Sequence, residues 1–241
     1  MAKINKYYSP NFSLPKRKEK NIKFIILHYT GMKKESDAIK RLCDEKSKVS
    51  AHYFVKKNGQ IINLVPDLFE AWHAGKSSWK KIRSLNKYSI GIEIQNSGHD
   101  FEYEKFSLKQ ISKLKKLLKQ LIRKYKINSN NILGHSDIAP ERKKDPGEKF
   151  PWKKLAKDNL AKWHQLNEND NMNIRSKKLN FKEENSFLKN LYLIGYNKID
   201  NLNFNSNKKF LISAFQRRFR QSLVNGKSDQ ECLKISKNLL K

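Results

Sequence analysis

A chain of 241 residues has room for one domain of about 150 residues and a smaller second one, and its 37% hydrophobic and 11% aromatic residues exclude wholesale disorder. The 52 Lys and Arg against 23 Asp and Glu give a formal net charge of +29; such a field draws anionic partners of any kind, and a solvated Lys-rich surface accounts for it equally well, so charge alone selects no function. No apolar run approaches the roughly 20 residues of a membrane span, the start MAKINKYYSPNFSLPKRKEK lacks the apolar core of a secretory signal, and Cys43 and Cys232 are too few and too far apart to suggest a disulfide framework.

After a basic arm, Ile22 to Leu27 is a run of strand length whose apolar character predicts cover on both faces, with His28 at its carboxyl end. Ser36 to Glu45 follows as a helix, burying Ala38, Ile39, Leu42 and Cys43 at helical spacing. HYFVKKNGQIINLVP reads as two short strands around a turn at Asn58-Gly59. Tyr88 to Gln95 is a further strand; alternation places Ile92 and Ile94 on one face and Glu93 on the other. Ser107 and Gln110 have capping-box spacing, and Leu108, Ile111, Leu114, Leu118, Leu121, Ile122 and Tyr125 then form a helical stripe.

Asn131 to Gly134 is a short strand leading to His135, and the turn-rich SDIAPERKKDPGEKFPW after it reads as loop. From Asn167 to about Asn180 the periodicity is lost, as in a linker. The remainder carries the stripes Phe187, Leu188, Leu191, Leu193, then Phe210, Leu211, Ala214, Phe215, Phe219, then Cys232, Ile235 and Leu239. The expected organisation is a catalytic domain over 1–170, a linker over 171–182 and a small all-α domain over 183–241. In that last segment Arg217 and Arg218 are expected in solvent.

A hydrolytic zinc site takes three His or carboxylate ligands and keeps a position open. His28 and His135 each end a strand and Asp145 lies in an Asp-Pro-Gly turn, so a fold that gathers strand ends would converge them; spacing alone leaves hydrogen-bonded imidazoles as the alternative. FIILHYT, VSAHYFVKKNGQIINLVPD, AWHAG, YSIGIEIQN, ILGHSDIAPERKKDPG and FPW, in this order, resemble the type-2 N-acetylmuramoyl-L-alanine amidase family, in particular its AmpD-like and AmiD-like branch, over roughly Ile22 to Trp152. The resemblance implies an α/β fold with a central mixed sheet flanked by helices, zinc held by His28, His135 and Asp145, Glu93 as catalytic acid/base and Lys143 as the cation that meets the oxyanion. An Asp as third ligand fits this branch; other branches use Cys there.

His52 and His73 lie in family motifs without a metal assignment, His99 and His164 are expected at the surface, and Trp79 and Asn86 are candidates for contacts to sugar or peptide. LYLIGYN, AFQRRFRQ and NGKSDQECLKISKNLL resemble the three-helix peptidoglycan-binding-like domain that follows the amidase in AmiD-like proteins. The implied activity is hydrolysis of the amide between N-acetylmuramic acid, or its 1,6-anhydro form, and L-alanine; a non-catalytic peptidoglycan-binding protein of the same fold is the alternative. The partner expected is peptidoglycan or a muropeptide, bound by a monomer. No nucleic-acid motif is evident. The missing signal favours the cytoplasm, and the tail, which resembles that of envelope enzymes, makes the periplasmic envelope the alternative.

Overall fold

The computed structural model describes residues 7–167, 171–200 and 202–241. Its strands in chain order are β1 (Phe12–Ser13), β2 (Phe24–Tyr29), β3 (Tyr53–Val55), β4 (Ile61–Asn63), β5 (Glu70–Ala71), β6 (Ser78–Trp79), β7 (Ile82–Arg83), β8 (Ser89–Ile94) and β9 (Ile132–Gly134). The helices are α1 (Glu35–Cys43), α2 (Leu108–Tyr125), α3 (His135–Ile138), α4 (Trp152–Ala156), α5 (Phe181–Ile194), α6 (Phe204–Phe219) and α7 (Gln230–Asn238). Among the described residues no helix is long and apolar enough to cross a membrane.

The central sheet has five strands in the order β4-β3-β8-β2-β9. Strand β2 runs parallel to β8 and β9, β3 runs parallel to β8, and the β3–β4 hairpin closes one edge antiparallel, which makes the sheet mixed. Because side chains alternate along a strand, Ile25 and Leu27 of β2 share a face with Ile90, Ile92 and Ile94 of β8, and this face packs on Ile111, Leu114, Leu118 and Leu121 of α2. Helix α2 starts where the sequence predicts: the Gln110 amide donates to Ser107 Oγ at 3.1 Å and the Ser107 amide to Gln110 Oε1 at 2.9 Å.

The opposite face carries Phe24 and Ile26 of β2 and Leu133 of β9, which join one apolar cluster with Phe187 and Leu191 of α5 and Leu211 and Phe215 of α6. The second cover that the apolar β2 requires is thus the C-terminal helical region. Gly195, at φ +143°, lies where any side chain would collide with the Trp79 indole, and the next residue, Tyr196, is fully buried against that ring. Tyr196 also donates its hydroxyl to Asp137 Oδ1 at 2.8 Å. Arg218 donates to Asp137 Oδ2 at 2.9 Å and to the Ile132 carbonyl at 2.8 Å, with its guanidinium carbon 3.8 Å from the Trp152 ring centre.

Several sequence expectations change here. Arg218, expected in solvent, is 3% exposed because the buried Asp137 carboxylate supplies its counter-charge. The supposed loop after Gly134 opens with the short helix α3, whose first turn is fixed by the Gly134 amide donating to Asp137 Oδ2 at 2.7 Å. His164, expected at the surface, is buried with Nε2 3.1 Å from the Phe219 carbonyl. Leu193 is 59% exposed, and the α5 stripe continues from Leu191 to the partly buried Ile194 instead. Part of the polar stretch read as a linker, residues 168–170, lies outside the described residues; beyond it, Arg175 forms a two-pronged pair with Glu231 at 2.6 and 2.9 Å and the Lys177 carbonyl accepts from the Gln230 amide at 3.0 Å.

Candidate metal centre

The sheet register builds the site. His28 stands opposite Glu93 on the adjacent parallel strand, so both side chains leave the same face at the carboxyl ends of their strands, where open α/β sheets bind ligands. Leu27 stands opposite Gly134, so His28 and His135 follow at the same level of neighbouring strands. The loop carrying Asp145 is folded back by the Ser136 amide, which donates to the Asp145 carbonyl at 2.9 Å.

His28 Nδ1, His135 Nδ1 and Asp145 Oδ2 form a nearly equilateral triangle with edges of 2.9, 3.0 and 3.1 Å, and all three residues are buried. His135 Nε2 lies 3.1 Å from the Ala74 carbonyl, which can only accept, so the proton sits on Nε2 and Nδ1 turns a lone pair inward. A carboxylate oxygen and imidazole lone pairs converging on one point repel unless a cation joins them. These residues form a group that could hold a metal ion, and the donor set, two imidazoles and one carboxylate, suits zinc in a hydrolytic site.

Charge states agree with that arrangement. Burial, reinforced by neighbouring His135, pushes His28 down to about 4, so it is neutral near pH 7. Burial opposes ionisation of Asp145, yet His135 and His28 overcome it and hold the carboxyl below its usual range. Glu93 is the opposite case: burial first, then the Asp145 charge, raises it well above an ordinary glutamate, with Lys143 pulling it partly back. Its Oε2 is buried and has no hydrogen-bond partner among the described residues. A carboxyl with a raised pKa and a free oxygen is suited to proton exchange.

The centre opens into a cleft of about 520 Å³ lined by His28, Glu93, His135, Lys143, Asp145 and also Arg41. All five site residues expected from the sequence are therefore brought to one cavity. His73 lines it too, buried, with Nδ1 3.1 Å from His28 Nε2. Trp79 is not there: it is 3% exposed under Gly195 and Tyr196. Asn86 serves the backbone, its Oδ1 accepting from the His73 and Ala74 amides at 3.2 and 2.7 Å. His52 is a core residue, accepting the Gly91 amide at Nδ1. His99 links the Tyr29 hydroxyl, 2.9 Å from Nδ1, to Glu148, 3.0 Å from Nε2. Arg142, which nothing in its basic run distinguishes from its neighbours, donates from its guanidinium to the Ala74 carbonyl at 2.7 Å and so ties the Asp145 loop to the AWHAG segment.

A mixed α/β sheet gathers two imidazoles, one carboxylate and a buried acid at its strand ends, open on one side to a cleft, and this group could hold a metal ion in the manner of metal-dependent hydrolases. Residues 18–148 match the family model described as N-acetylmuramoyl-L-alanine amidase, and the chain belongs to that family. It is 35% identical over 232 residues to N-acetylmuramoyl-L-alanine amidase AmiD of Escherichia coli, spanning 91% of this chain and 82% of that protein. The solved complex of that AmiD with the substrate anhydro-N-acetylmuramic acid-L-Ala-D-gamma-Glu-L-Lys superposes with a TM-score of 0.81 at 34% identity, over 91% of this chain and 89% of that one. AmpDH3 from Pseudomonas aeruginosa gives a TM-score of 0.79 at 30% identity, over 99% of this chain and 97% of that one. The fold class expected from the sequence, a mixed sheet flanked by helices with a helical C-terminal part, is the one observed.

Proposed function

We propose that this chain hydrolyses the amide between the lactyl group of N-acetylmuramic acid and L-alanine, in peptidoglycan turnover or recycling, and that it accepts the 1,6-anhydro form found in the AmiD complex. The observation that carries this reading is the triangle of inward-facing donors with the unpartnered Glu93 oxygen on the neighbouring strand, all open to one cleft. His28, His135 and Asp145 would hold zinc. When bound, zinc supplies Lewis-acid polarisation of a carbonyl and lowers the pKa of water.

Glu93 acts as base and then as acid. Its carboxylate takes a proton from the water that attacks the lactyl carbonyl, and it returns that proton to the alanine nitrogen as the C–N bond breaks, so no net proton remains on the enzyme. Lys143, in the same cleft, stabilises negative charge that grows on the carbonyl oxygen only in the transition state. Arg41 offers a cation for a stem-peptide carboxylate. Retention of both Glu93 and the full donor set favours turnover over binding alone. We place the reaction in the cytoplasm, a reading supported by two free cysteines, one of them buried; fractionation of cells tests it, and recovery with the envelope would overturn it.

The deciding experiment is mass spectrometry of products from defined muropeptides, with and without the 1,6-anhydro group, using zinc-loaded protein. The expected products are the free sugar acid and a peptide with an L-alanine amino terminus. Fully zinc-occupied protein that leaves both substrates intact would overturn the proposal.

A further inference from the structure

The two imidazoles of the triangle are useful to a metal only if each keeps its proton on Nε2 and its lone pair on Nδ1. In this chain both tautomers are set by consecutive residues of one segment. The Ala74 carbonyl faces His135 Nε2 at 3.1 Å and His73 Nδ1 faces His28 Nε2 at 3.1 Å. The first contact has one sense, because a carbonyl only accepts. The second depends on which nitrogen of His73 carries its proton, and a neighbouring hydroxyl decides that.

Ser89 Oγ lies 2.6 Å from the Leu85 carbonyl, so its single proton is given there. The oxygen is then an acceptor toward His73 Nε2, 3.2 Å away. His73 therefore carries its proton on Nε2 and offers a lone pair at Nδ1, which accepts from His28 Nε2–H and leaves His28 Nδ1 free to face the centre. The chain of donors ends on a backbone carbonyl, so its direction is fixed by the fold. Asn86 Oδ1 holds the segment from beneath by accepting both its amides, and Arg142 braces the Ala74 carbonyl at 2.7 Å.

The strand sequence reflects this. Ser89, Gly91 and Glu93 point to one face of β8, and a methyl group on Gly91 would collide with the His73 ring. Glycine in the middle of a buried strand costs stability and commonly marks a close approach; here it makes the space in which His73 lies flat against the sheet.

We propose that His73 is a positioning residue which, with Ser89, sets the tautomer of His28 and thereby the metal affinity of the centre. This rests on the metal-centre reading above. Loss of such an outer partner weakens metal binding by about 10–100-fold in other sites, and that is the effect expected for His73→Leu in Zn2+ affinity measured by chelator competition. His73→Asn puts an acceptor oxygen where Nδ1 stood and should restore most of the affinity, a rescue that a merely space-filling role would not give. Long-range 15N–1H spectra of the zinc-loaded wild type, which need no variant to fold, should show His28 and His73 both protonated at Nε2. Equal Zn2+ affinity in wild type and His73→Leu, or a His73 protonated at Nδ1, would overturn the inference while leaving the metal centre intact. A wild type that binds no Zn2+ would instead overturn the centre itself, and the inference with it.

Discussion

The two faces of the central sheet are built from alternate residues of the same strands, yet they do different work. The face under α2 is apolar: Ile25, Leu27, Ile90, Ile92 and Ile94 share one cluster with the amphipathic helix α2, held by its own capping box, and with Trp152 and Leu155 of α4. The other face is divided. Phe24, Ile26 and Leu133 are covered by the C-terminal helices, and at the carboxyl ends of the strands the same face turns polar with His28 and Glu93. The contacts of α2 on the first face are thus expected to serve stability, whereas on the second the cover adjoins the chemistry: Asp137, clamped by Arg218 and Tyr196, lies two positions after His135.

The severest way to test that difference is to remove the cover. Deleting residues 183–241 would strip Phe24, Ile26, Leu133 and Ile138 of their apolar partners and leave Asp137 without its counter-charge, so the truncated chain is expected to aggregate or lose its cooperative unfolding transition. A soluble truncate with the full-length melting temperature would show that the helical region is an independent module. A narrower cut is Arg218→Met. Removing one partner of a buried ion pair costs about 3–5 kcal/mol, and here it should also weaken Zn2+ binding, because the turn carrying His135 loses its brace. Adding Asp137→Asn removes the orphaned charge and should recover part of the stability. Denaturant melts and chelator competition on both variants read the two effects separately, and an Arg218→Met protein that loses stability but keeps its Zn2+ affinity would uncouple cover from site.

How far the sequence foretold this division can be seen in single residues. Alternation along Tyr88 to Gln95 suffices to put Glu93 opposite the isoleucines, and the strand-end positions of His28 and His135 follow from apolar runs that stop where they do. The apolar β2 announces two covers, but no local pattern names the second, since its contacts come from α5 and α6, far along the chain. Arg218 reads as solvated because its partner Asp137 is 81 positions away. Trp79 looks like a sugar platform until Gly195 and Tyr196 are seen to enclose it. Ring-nitrogen roles, as in His73, are decided by hydrogen bonds that exist only in the assembled site.

Glu93 gives a smaller effect of opposite sign. Its folded pKa is raised by burial and by Asp145, so above the unfolded value the native state holds a proton that the unfolded chain releases, and stability falls as pH rises toward the folded pKa. In metal-free protein, Glu93→Gln should therefore unfold at a higher temperature than wild type near neutral pH, with the gap closing at acid pH where the unfolded carboxyl is protonated as well. The same variant should retain Zn2+ and lose turnover by about 10²–10⁴-fold, the usual worth of a general acid–base. A variant less stable than wild type at neutral pH would contradict the raised pKa, and near-normal kcat would place the base elsewhere.

The mildest change probes the α2 face. Ser107→Ala deletes the hydroxyl that accepts the Gln110 amide at 3.1 Å and also removes its donation to the Lys57 carbonyl at 2.8 Å, while the Gln110 side chain can still reach the Ser107 backbone amide. An N-cap replaced by alanine costs about 0.5–2 kcal/mol, and for a domain of this size each kcal/mol lowers the melting temperature by roughly 2–4 °C. Helix α2 packs on the face away from the triangle: Ile111, Leu114, Leu118 and Leu121 join the cluster of Ile90, Ile92 and Ile94, whose strand carries Glu93 to the opposite side. Zn2+ affinity and kcat should therefore match wild type within error, in contrast to Arg218→Met. Thermal melts with chelator competition on the same preparation make the comparison, and a loss of metal affinity in Ser107→Ala would mean that the sheet transmits strain between its faces and that the division drawn from their packing fails.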